Sequence, residues 1–419
     1  MNHWLRMTAV AALTAASLTV TINRFASAHA MLVSSEPAAN AVISTSPKQI
    51  KLVFSEALQA TGHTITLLDE KRNKVEIGKA MLDPADNSKK TLIAEIPRAL
   101  PIGSYTVEWR NLSTDGHSER GRFTFTLAEM AEMTLKFAFK AGKEDVTCGK
   151  EVKNLGARRT AAQIMDARFY ISNIRLISAG GAEVPFALQA DGKWQTDRVA
   201  LLDFEDGSGM CKETGTPDMR NIVVGKAPAG KYTGVVFDLG IPFELNHADV
   251  AVEKAPLNIQ ALWWNWQTGY KFVRIDLATN VAPPNDKWFI HLGSTGCGKM
   301  EGHGGHGGHG GQGGGHGAGG GQSMANKPPE KPCANPNLAT IRLTRFDPAR
   351  DQIVADLAGL LTNVNIAQST PKPAGCMSGV DDPDCRRLIP NFGLSLTNGQ
   401  CVNGCRGQRF FRVEAVPKS

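Results

Sequence analysis

Apolar and polar side chains alternate in short runs along most of this chain, and such a pattern allows few structures other than β-strands. Pro, Gly and Asp-Asn pairs separate the runs, and helical periodicity is weak throughout. The sequence therefore predicts an all-β protein, with an N-terminal immunoglobulin-like β-sandwich followed by a larger, mostly β sandwich domain. The runs are marked by Ile50, Leu52 and Phe54; Ile65 and Leu67; Tyr105, Val107 and Trp109; Phe123, Phe125 and Leu127; Leu135, Phe137 and Phe139; Phe169 and Ile171; and residues 232–237, 272–275, 341–343 and 410–413.

All eight cysteines lie after residue 147, so the first part of the chain is a different kind of unit from the rest. An even number of cysteines is typical of disulfides if the chain is exported, as the N-terminal segment described next predicts, and the sequence leaves their pairing open. A zinc cluster is the alternative, but the chain has no Cys-x-x-Cys pair. We therefore predict disulfides among Cys148, Cys211, Cys297, Cys333, Cys376, Cys385, Cys401 and Cys405.

Residues 1–28 have the features of a secretory signal peptide: a basic start at Arg6, an apolar middle over 9–20, and the small-residue motif Ala26-Ser27-Ala28. The middle is too short for a membrane span, and no other segment is apolar over the roughly 18 residues that one needs. We predict cleavage after Ala28, export of the mature chain and no membrane insertion; the family resemblances described below imply that the exported location is the periplasm. Cleavage removes Arg6 and Arg24 and no acid, so the formal net charge falls from +6 to +4. With no cluster of Lys and Arg, nucleic acid is an unsuitable partner.

The composition changes to mostly glycine over residues 301–327, with four histidines, and then to a Pro/Lys stretch. Such a segment cannot bury apolar surface, so we predict a disordered insertion within the second domain. The insertion either binds metal ions weakly through His303, His306, His309 and His316 or is an inert spacer. The second alternative is open because a flexible, glycine-rich segment loses much conformational entropy when it binds a metal. Cys297 and Cys333 flank the insertion, so a disulfide that closes it is expected. The predicted domains cover residues 29–128 and 134–419.

The new N-terminus suggests metal chemistry. Cleavage would leave His29 first, and its free α-amine and imidazole can chelate one metal together. Asp115 and His117 form an Asp-x-His motif just after the predicted 105–110 strand. Nitrogen donors with a carboxylate oxygen suit tetragonal Cu(II), which also leads the divalent affinity series. An Asp-x-His motif alone is usually a simple loop feature.

Three stretches resemble the CopC family of periplasmic copper-resistance proteins: His29-Ala-Met-Leu-Val-Ser-Ser-Glu-Pro-Ala, Phe54-Ser-Glu, and Trp109-Arg-Asn-Leu-Ser-Thr-Asp-Gly-His. The resemblance covers about residues 29–128. It implies a small β-sandwich that binds Cu(II) through His29, Asp115 and His117. Some family members add a methionine-rich Cu(I) site, but Met81 is the only methionine between residues 32 and 129. We therefore expect one Cu(II) site and no Cu(I) site in this domain.

A tryptophan-rich run, Ala261-Leu-Trp-Trp-Asn-Trp-Gln-Thr-Gly-Tyr-Lys-Phe272, stands out in the second domain. Tryptophan is large and carries an N–H that needs a partner when buried, so core packing rarely requires three tryptophans within four positions. A tryptophan-rich sandwich core remains the simpler interpretation. His247 and His291 flank the run and are the histidines of this domain outside the Gly/His-rich insertion. One metal between them is the functional alternative to two structural histidines.

Five separated motifs are similar to MbnP-like proteins, the four-cysteine "metallo-mystery pair" partners. They are Arg168-Phe-Tyr-Ile-Ser-Asn, Leu245-Asn-His-Ala-Asp, Trp266-Gln-Thr-Gly-Tyr-Lys-Phe, His291-Leu-Gly-Ser-Thr-Gly-Cys and Gln408-Arg-Phe-Phe-Arg-Val-Glu, in a resemblance over about 134–419. The resemblance implies a periplasmic copper protein with His247 and His291 as ligands. It also implies a di-haem, MauG-like cytochrome c peroxidase as partner, which oxidises Trp264 or Trp266 to kynurenine. This chain departs from the pattern in its eight cysteines, its insertion and its first domain.

Together these features predict a copper-binding protein for sequestration, resistance or delivery, without a reaction of its own, and with a copper-transporting membrane protein as a further partner. One rival is a copper His-brace oxidase or monooxygenase, although Asp115 as a ligand would occupy the position that oxygen needs. The other is a metal-independent carbohydrate-binding or adhesion sandwich. The chain shows no Ser/His/Asp nucleophile signature, and its glycine run lacks the lysine and helix of a phosphate-binding loop.

Overall fold

The computed structural model describes residues 30–213, 215–265, 267–283, 286–298, 328–368 and 374–417. The chain divides into two compact units, with the boundary between Leu127 and Ala128. The predicted signal peptide and the predicted Gly/His insertion both lie outside the described residues. Among the residues that the structure describes, no helix has both the length and the apolar composition that crossing a bilayer requires.

The first unit consists of strands in two sheets. Its strands are β1 (Leu32–Glu36), β2 (Val42–Ile43), β3 (Gln49–Phe54), β4 (Thr64–Leu68), β5 (Lys74–Val75), β6 (Met81–Leu82), β7 (Thr91–Glu95), β8 (Gly103–Arg110) and β9 (Arg120–Leu127). Within the described part, one sheet has the order β1-β3-β7-β6 and the other β2-β9-β8-β4-β5. Burial alternates along β3, β8 and β9, and the inward residues share one core. The predicted β-sandwich is confirmed.

The second unit is also built mainly from strands. They are β10 (Met130–Ala141), β11 (Glu144–Asp145), β12 (Val152–Leu155), β13 (Thr160–Ser178), β14 (Glu183–Pro185), β15 (Ala187–Leu188), β16 (Val199–Asp203), β17 (Ile222–Pro228), β18 (Tyr232–Leu239), β19 (Trp263–Asn265), β20 (Gly269–Thr279), β21 (Lys287–Gly293), β22 (Ala339–Thr344), β23 (Asp351–Asp356), β24 (Gly375–Cys376) and β25 (Phe411–Ala415). The helices are short: α1 (Phe243–Asn246), α2 (Leu357–Leu360) and α3 (Cys385–Leu388), with 3₁₀ turns at Gly209–Glu213, Gln260–Leu262 and Ile389–Phe392.

Two sheets of the second unit share one apolar core. The larger sheet has the path β22-β18-β13-β20-β21-β24 and the other β15-β17-β10-β23-β25, among the described residues. Inward residues of both, such as Phe137 and Phe237, belong to one buried cluster, and their rings meet edge to face. The larger unit is therefore a sandwich, as predicted. Strand β10 begins at Met130, four residues before the predicted domain start, because its backbone already pairs with Pro228 of β17 there.

All eight cysteines form disulfides, as predicted. The pairs are Cys148–Cys211, Cys297–Cys333, Cys376–Cys385 and Cys401–Cys405. The expected bridge across the Gly/His-rich stretch is one of them. The widest bridge spans a sequence separation of 63 residues. In the chain-entropy account, closing a loop of that size stabilises the fold by about 4 kcal/mol.

Candidate metal-binding sites

Asp115 and His117 lie together in the loop between β8 and β9. Oδ2 of Asp115 is 2.9 Å from Nδ1 of His117, and Oδ1 accepts the backbone N–H of His117 at 3.1 Å. The Ser113 hydroxyl also donates to Oδ1. These hydrogen bonds, with that from Ser113 the strongest, hold the pKa of Asp115 well below its ordinary range, so the carboxylate stays ionised. The His117 side chain is 62% exposed, so its ring can reach a ligand from solvent.

A buried asparagine fixes the start of the described chain beside this loop. Asn111 follows β8 directly, and its Nδ2 donates to the carbonyl of Ala30 at 2.8 Å. Its Oδ1 accepts the backbone N–H of Glu119, so the same side chain also closes the loop. Both Ala30 and Asn111 are fully buried. His29 lies outside the described residues, but it precedes an anchored neighbour in the sequence.

Asn111 was not among the predicted site residues, because a hydrogen bond across 81 positions leaves no local pattern.

His63 is a third histidine of this unit. Its Nε2 lies 2.7 Å from the carbonyl of Gln59, and its Nδ1 accepts the backbone N–H of Leu112 at 3.2 Å. Because both ring nitrogens bond to the backbone, His63 has a structural role.

In the second unit, His291 of β21 is buried against a carboxylate. Its Nε2 is 2.7 Å from Oδ1 of Asp276 on β20. Burial lowers the pKa of His291 below its ordinary value, although Asp276 acts in the opposite direction. Burial also acts to raise the pKa of Asp276, but the hydrogen bonds and charges of His291 and Arg274 outweigh it and lower that pKa. A neutral ring that donates from Nε2 to an ionised Asp276 keeps a lone pair on Nδ1, which is the arrangement of a metal-binding histidine.

Asp276 belongs to a buried chain of charges. Arg274 donates to Oδ2 of Asp276 at 2.8 Å and lies 3.2 Å from Asp166 of β13, which in turn pairs with Arg168. A register shift between Lys271 and Val273 interrupts the alternation of β20. As a result, the side chains of Lys271 and Arg274 both donate to the carbonyl of Ala261. Burial lowers the pKa of Lys271 to about 8.

The described residues of the tryptophan run include β19, which pairs with the start of β20, and Trp263 and Trp264 face different surroundings. Trp263 packs against a second buried cluster that includes Tyr170 and Tyr270, which supports the core interpretation for this residue. Trp264 lies on the β21 side, with its ring centroid 6.4 Å from that of His291. A Cβ atom on Gly293 would come within 2.5 Å of the Trp264 ring, so glycine is what allows the indole to lie on β21. Trp266 lies outside the described residues.

His247 directly follows helix α1 and has a different environment. The Nδ2 atom of Asn246 lies 3.3 Å both from Nε2 of His247 and from Oγ of Ser294, which follows β21. Nε2 of His247 is also 3.5 Å from Sγ of Cys333. The two predicted histidines thus have different neighbours: His291 lies in β21 beside Trp264, and His247 lies beside the Cys297–Cys333 disulfide, next to Asn246, which contacts Ser294 just after β21. The remaining predicted ligands, His303, His306, His309 and His316, lie outside the described residues.

The family model described as MbnP matches residues 130–378, which is more than half of the chain. The chain belongs to the MbnP family. A second family model, described as the CopC domain, matches residues 32–128. Both resemblances that the sequence motifs indicated are therefore confirmed.

Individual relatives agree with this division. MbnP from Methylosinus trichosporium is 29% identical over 69% of this chain and all of its own, with a TM-score of 0.57. Protein YobA of Escherichia coli K12 is 34% identical over 100 residues, which are 24% of this chain and 79% of YobA. Copper resistance protein C of Escherichia coli is 33% identical over 108 residues, 24% of this chain and 83% of its own.

The matched segments contain the described candidate residues. Asp115 and His117 lie in the CopC segment, while His247, Trp264 and His291 lie in the MbnP segment. Strand β25 lies beyond residue 378, yet it pairs with β23 and completes the smaller sheet. The MbnP-family unit in this chain therefore extends past the matched segment.

Proposed function

We propose that this chain is an exported periplasmic protein that binds copper for sequestration, resistance or delivery through one site in each unit. The most direct support is the hydrogen bond from Asn111 to Ala30, which holds the residue that follows His29 at the base of the loop that carries Asp115 and His117. A relative that matches this unit is named for copper resistance. In this proposal the protein catalyses no reaction of its own.

The first site would hold Cu(II). After cleavage, the amine and imidazole of His29 supply two nitrogens, and His117 supplies a third. Nitrogen donors with one carboxylate suit tetragonal Cu(II). In this arrangement Asp115 is either the oxygen ligand or, through Nδ1 of His117, the group that fixes the ring with Nε2 toward the metal.

The second site would use His291, through Nδ1, together with His247. Trp264 is the residue that we propose is oxidised to kynurenine, because its ring lies beside His291 in β21; the alternative, Trp266, lies outside the described residues. A di-haem, MauG-like cytochrome c peroxidase would carry out that oxidation, and a copper-transporting membrane protein would exchange the metal. The new aromatic amine of kynurenine would then join the histidines as a ligand.

Titration with Cu(II) against a competing chelator tests the first site. The mature protein is compared with a form that carries one extra alanine before His29 and with the variant His117→Ala. We expect one tight equivalent in the mature protein and its loss in both altered forms. His63→Ala is the matched control, because both ring nitrogens of His63 bond to backbone atoms, and it should keep the tight equivalent. Equal binding by the mature and extended forms would exclude the N-terminal chelate.

Peptide mass analysis tests the second site. The protein is produced with and without the di-haem partner, and the peptide that contains residues 263–266 is sequenced by fragmentation. We expect one tryptophan to lose a carbon and gain an oxygen only when the partner is present. An unmodified peptide from cells with an active partner would refute the kynurenine proposal while leaving the first site intact.

A further inference from the structure

Three potential metal ligands converge at the Cys297–Cys333 disulfide. The nitrogen of His247 and the two sulfurs lie within 4.8 Å of one another, and Nε2 is 3.5 Å from Sγ of Cys333. The three residues are 5 to 7% exposed. Two sulfurs and one imidazole at this spacing have the composition of a small metal site, with the sulfur–sulfur bond in place of the metal.

We propose that reduction of the Cys297–Cys333 disulfide converts this cluster into a Cu(I) site with two thiolates and the imidazole of His247. A dithiol reductant would supply two electrons and two protons, which break the sulfur–sulfur bond and give two thiols, while the reductant becomes a disulfide. One Cu(I) ion then displaces both thiol protons and binds two thiolate sulfurs and one nitrogen.

The two thiolates and the imidazole determine which metal ion the reduced cluster would bind. Thiolates are soft ligands that select Cu(I), and imidazole also suits copper. Burial keeps water from the ion. Asn246 prepares the third ligand, because its amide N–H points at Nε2 of His247 and so selects the tautomer with an unprotonated Nε2. That contact is long, at 3.3 Å, and copper would replace it.

Among the described residues, one other group of this kind occurs, formed by Cys376, Asp382 and Cys385. Its third member is a carboxylate, which is a hard ligand. Both oxygens of Asp382 already accept backbone N–H groups, from Met377 at 3.2 Å and from Asp384 at 2.9 Å. The cluster at His247 therefore has the better donor set for Cu(I).

This inference goes beyond the proposed function and needs neither the first site nor a modified tryptophan. It shares His247 with the proposed second site but not His291. The variant His291→Ala therefore separates the two proposals. It should impair the second site in the oxidised protein and leave the reduction-dependent site unchanged.

The test counts Cu(I) bound by the full mature protein before and after reduction. Anaerobic protein is treated with dithiothreitol, freed of it by gel filtration, and titrated with Cu(I) against bicinchoninate. We expect reduction to add one more equivalent in the wild type than in the double variant Cys297→Ser/Cys333→Ser. The matched control is Cys401→Ser/Cys405→Ser, which removes a disulfide that has no histidine beside it among the described residues and should behave as the wild type. His247→Ala should lower the affinity for the additional equivalent at least tenfold.

An equal gain in the wild type and in the Cys297→Ser/Cys333→Ser variant would overturn the proposal, as would no gain in the wild type. X-ray absorption at the copper edge of the reduced wild-type protein gives a second readout that requires no folded variant. It should show two sulfur ligands and one nitrogen for the additional Cu(I). A shell of nitrogen and oxygen alone would also overturn the proposal.

Discussion

The Nε2 atom of His291 lies 2.7 Å from Oδ1 of Asp276, across the pairing of β21 with β20. The two residues are not direct cross-strand neighbours, because His291 is paired with Arg274 and Asp276 with Phe289. The contact is therefore diagonal, and Arg274 holds the other carboxylate oxygen at 2.8 Å. Because Asp276 holds Nε2 of the His291 ring, Nδ1 of the same ring points in one fixed direction. Carboxylates in this position orient metal-bound histidines in many metalloproteins.

The variant Asp276→Asn tests whether this contact serves metal binding. An amide oxygen is a weaker hydrogen-bond acceptor than a carboxylate oxygen. It therefore favours less strongly the tautomer of His291 that has its proton on Nε2 and its lone pair on Nδ1. We expect the copper affinity of the second unit to fall roughly 10- to 100-fold, which is typical of such second-layer changes. Chelator competition on the full protein measures it.

Asp238→Asn is the matched control for that measurement. Asp238 is a buried aspartate of the same sheet, and it accepts hydrogen bonds from Asn173 and Thr340 rather than from a histidine. It should leave copper affinity unchanged within threefold. Equal losses in both variants would mean that Asp276 acts through stability alone.

The variant Asn111→Ala tests the anchoring of Ala30. It removes the donor to the Ala30 carbonyl and the acceptor for Glu119, both in a buried position. We expect a loss of about 1–3 kcal/mol in the free energy of unfolding. Because Ala30, which follows His29, is no longer held at the base of the loop that carries Asp115, the tight Cu(II) equivalent should also weaken at least tenfold.

Denaturant unfolding and Cu(II) competition check the two effects of Asn111→Ala separately. Asn73→Ala is the control, since the side chain of Asn73 bonds to Asp69 at an exposed turn. It should change neither quantity appreciably. Full Cu(II) affinity in Asn111→Ala would show that the anchor is not needed for the first site.

Most of this fold can be predicted because alternating apolar and polar residues mark each strand locally, and an even number of cysteines indicates disulfides from composition alone. Strands β3, β4, β8 and β9 lie where period-two spacing places them. Disulfide pairing is different, since it depends on which distant loops meet. Cys148 and Cys211 are 63 positions apart, and no local pattern joins them.

The candidate sites are predictable to a lesser degree. His117 and His291 are visible as motifs, whereas Asn111 and Asp276 act on them through contacts across sheets or loops. Asp276 reaches His291 only because of the register between β20 and β21. A one-residue slip in that register would turn Asp276 to the opposite face, so its role follows from tertiary structure.

Gly293→Ala tests the packing of Trp264 on β21. The new methyl group would lie 2.5 Å from the indole and 2.7 Å from the carbonyl of Tyr270, so the indole must move. We expect a loss of about 1–3 kcal/mol, as for other overpacked positions. Peptide mass analysis should also find much less oxidation of the tryptophan by the di-haem partner.

Gly180→Ala is the control for Gly293→Ala, because the nearest atom to its added Cβ is the Ser178 hydroxyl at 3.8 Å. Thermal unfolding should distinguish the two variants by several degrees. If Gly293→Ala unfolds like the wild type and its tryptophan is oxidised normally, the close packing of Trp264 is not required.

Asp203 at the end of β16 makes stability depend on pH. Burial raises its pKa from 3.8 to about 7, against the hydrogen bond from the Glu205 backbone and the charge of Arg168. As pH rises between these values, the unfolded chain loses this proton first, so the native state is destabilised by roughly 1.4 kcal/mol per pH unit at most. Asp203→Asn removes this penalty and should raise Tm at pH 8 but not at pH 4.

Asp206 provides a comparison of opposite sign. Hydrogen bonds from Ser208 lower the pKa of Asp206, so Asp206→Asn should reduce Tm at pH 8 and have little effect at low pH. Calorimetry at pH 4 and pH 8 measures the Tm of each variant and of the wild type. Equal Tm differences between Asp203→Asn and the wild type at both pH values would show that Asp203 ionises alike in the folded and unfolded chain.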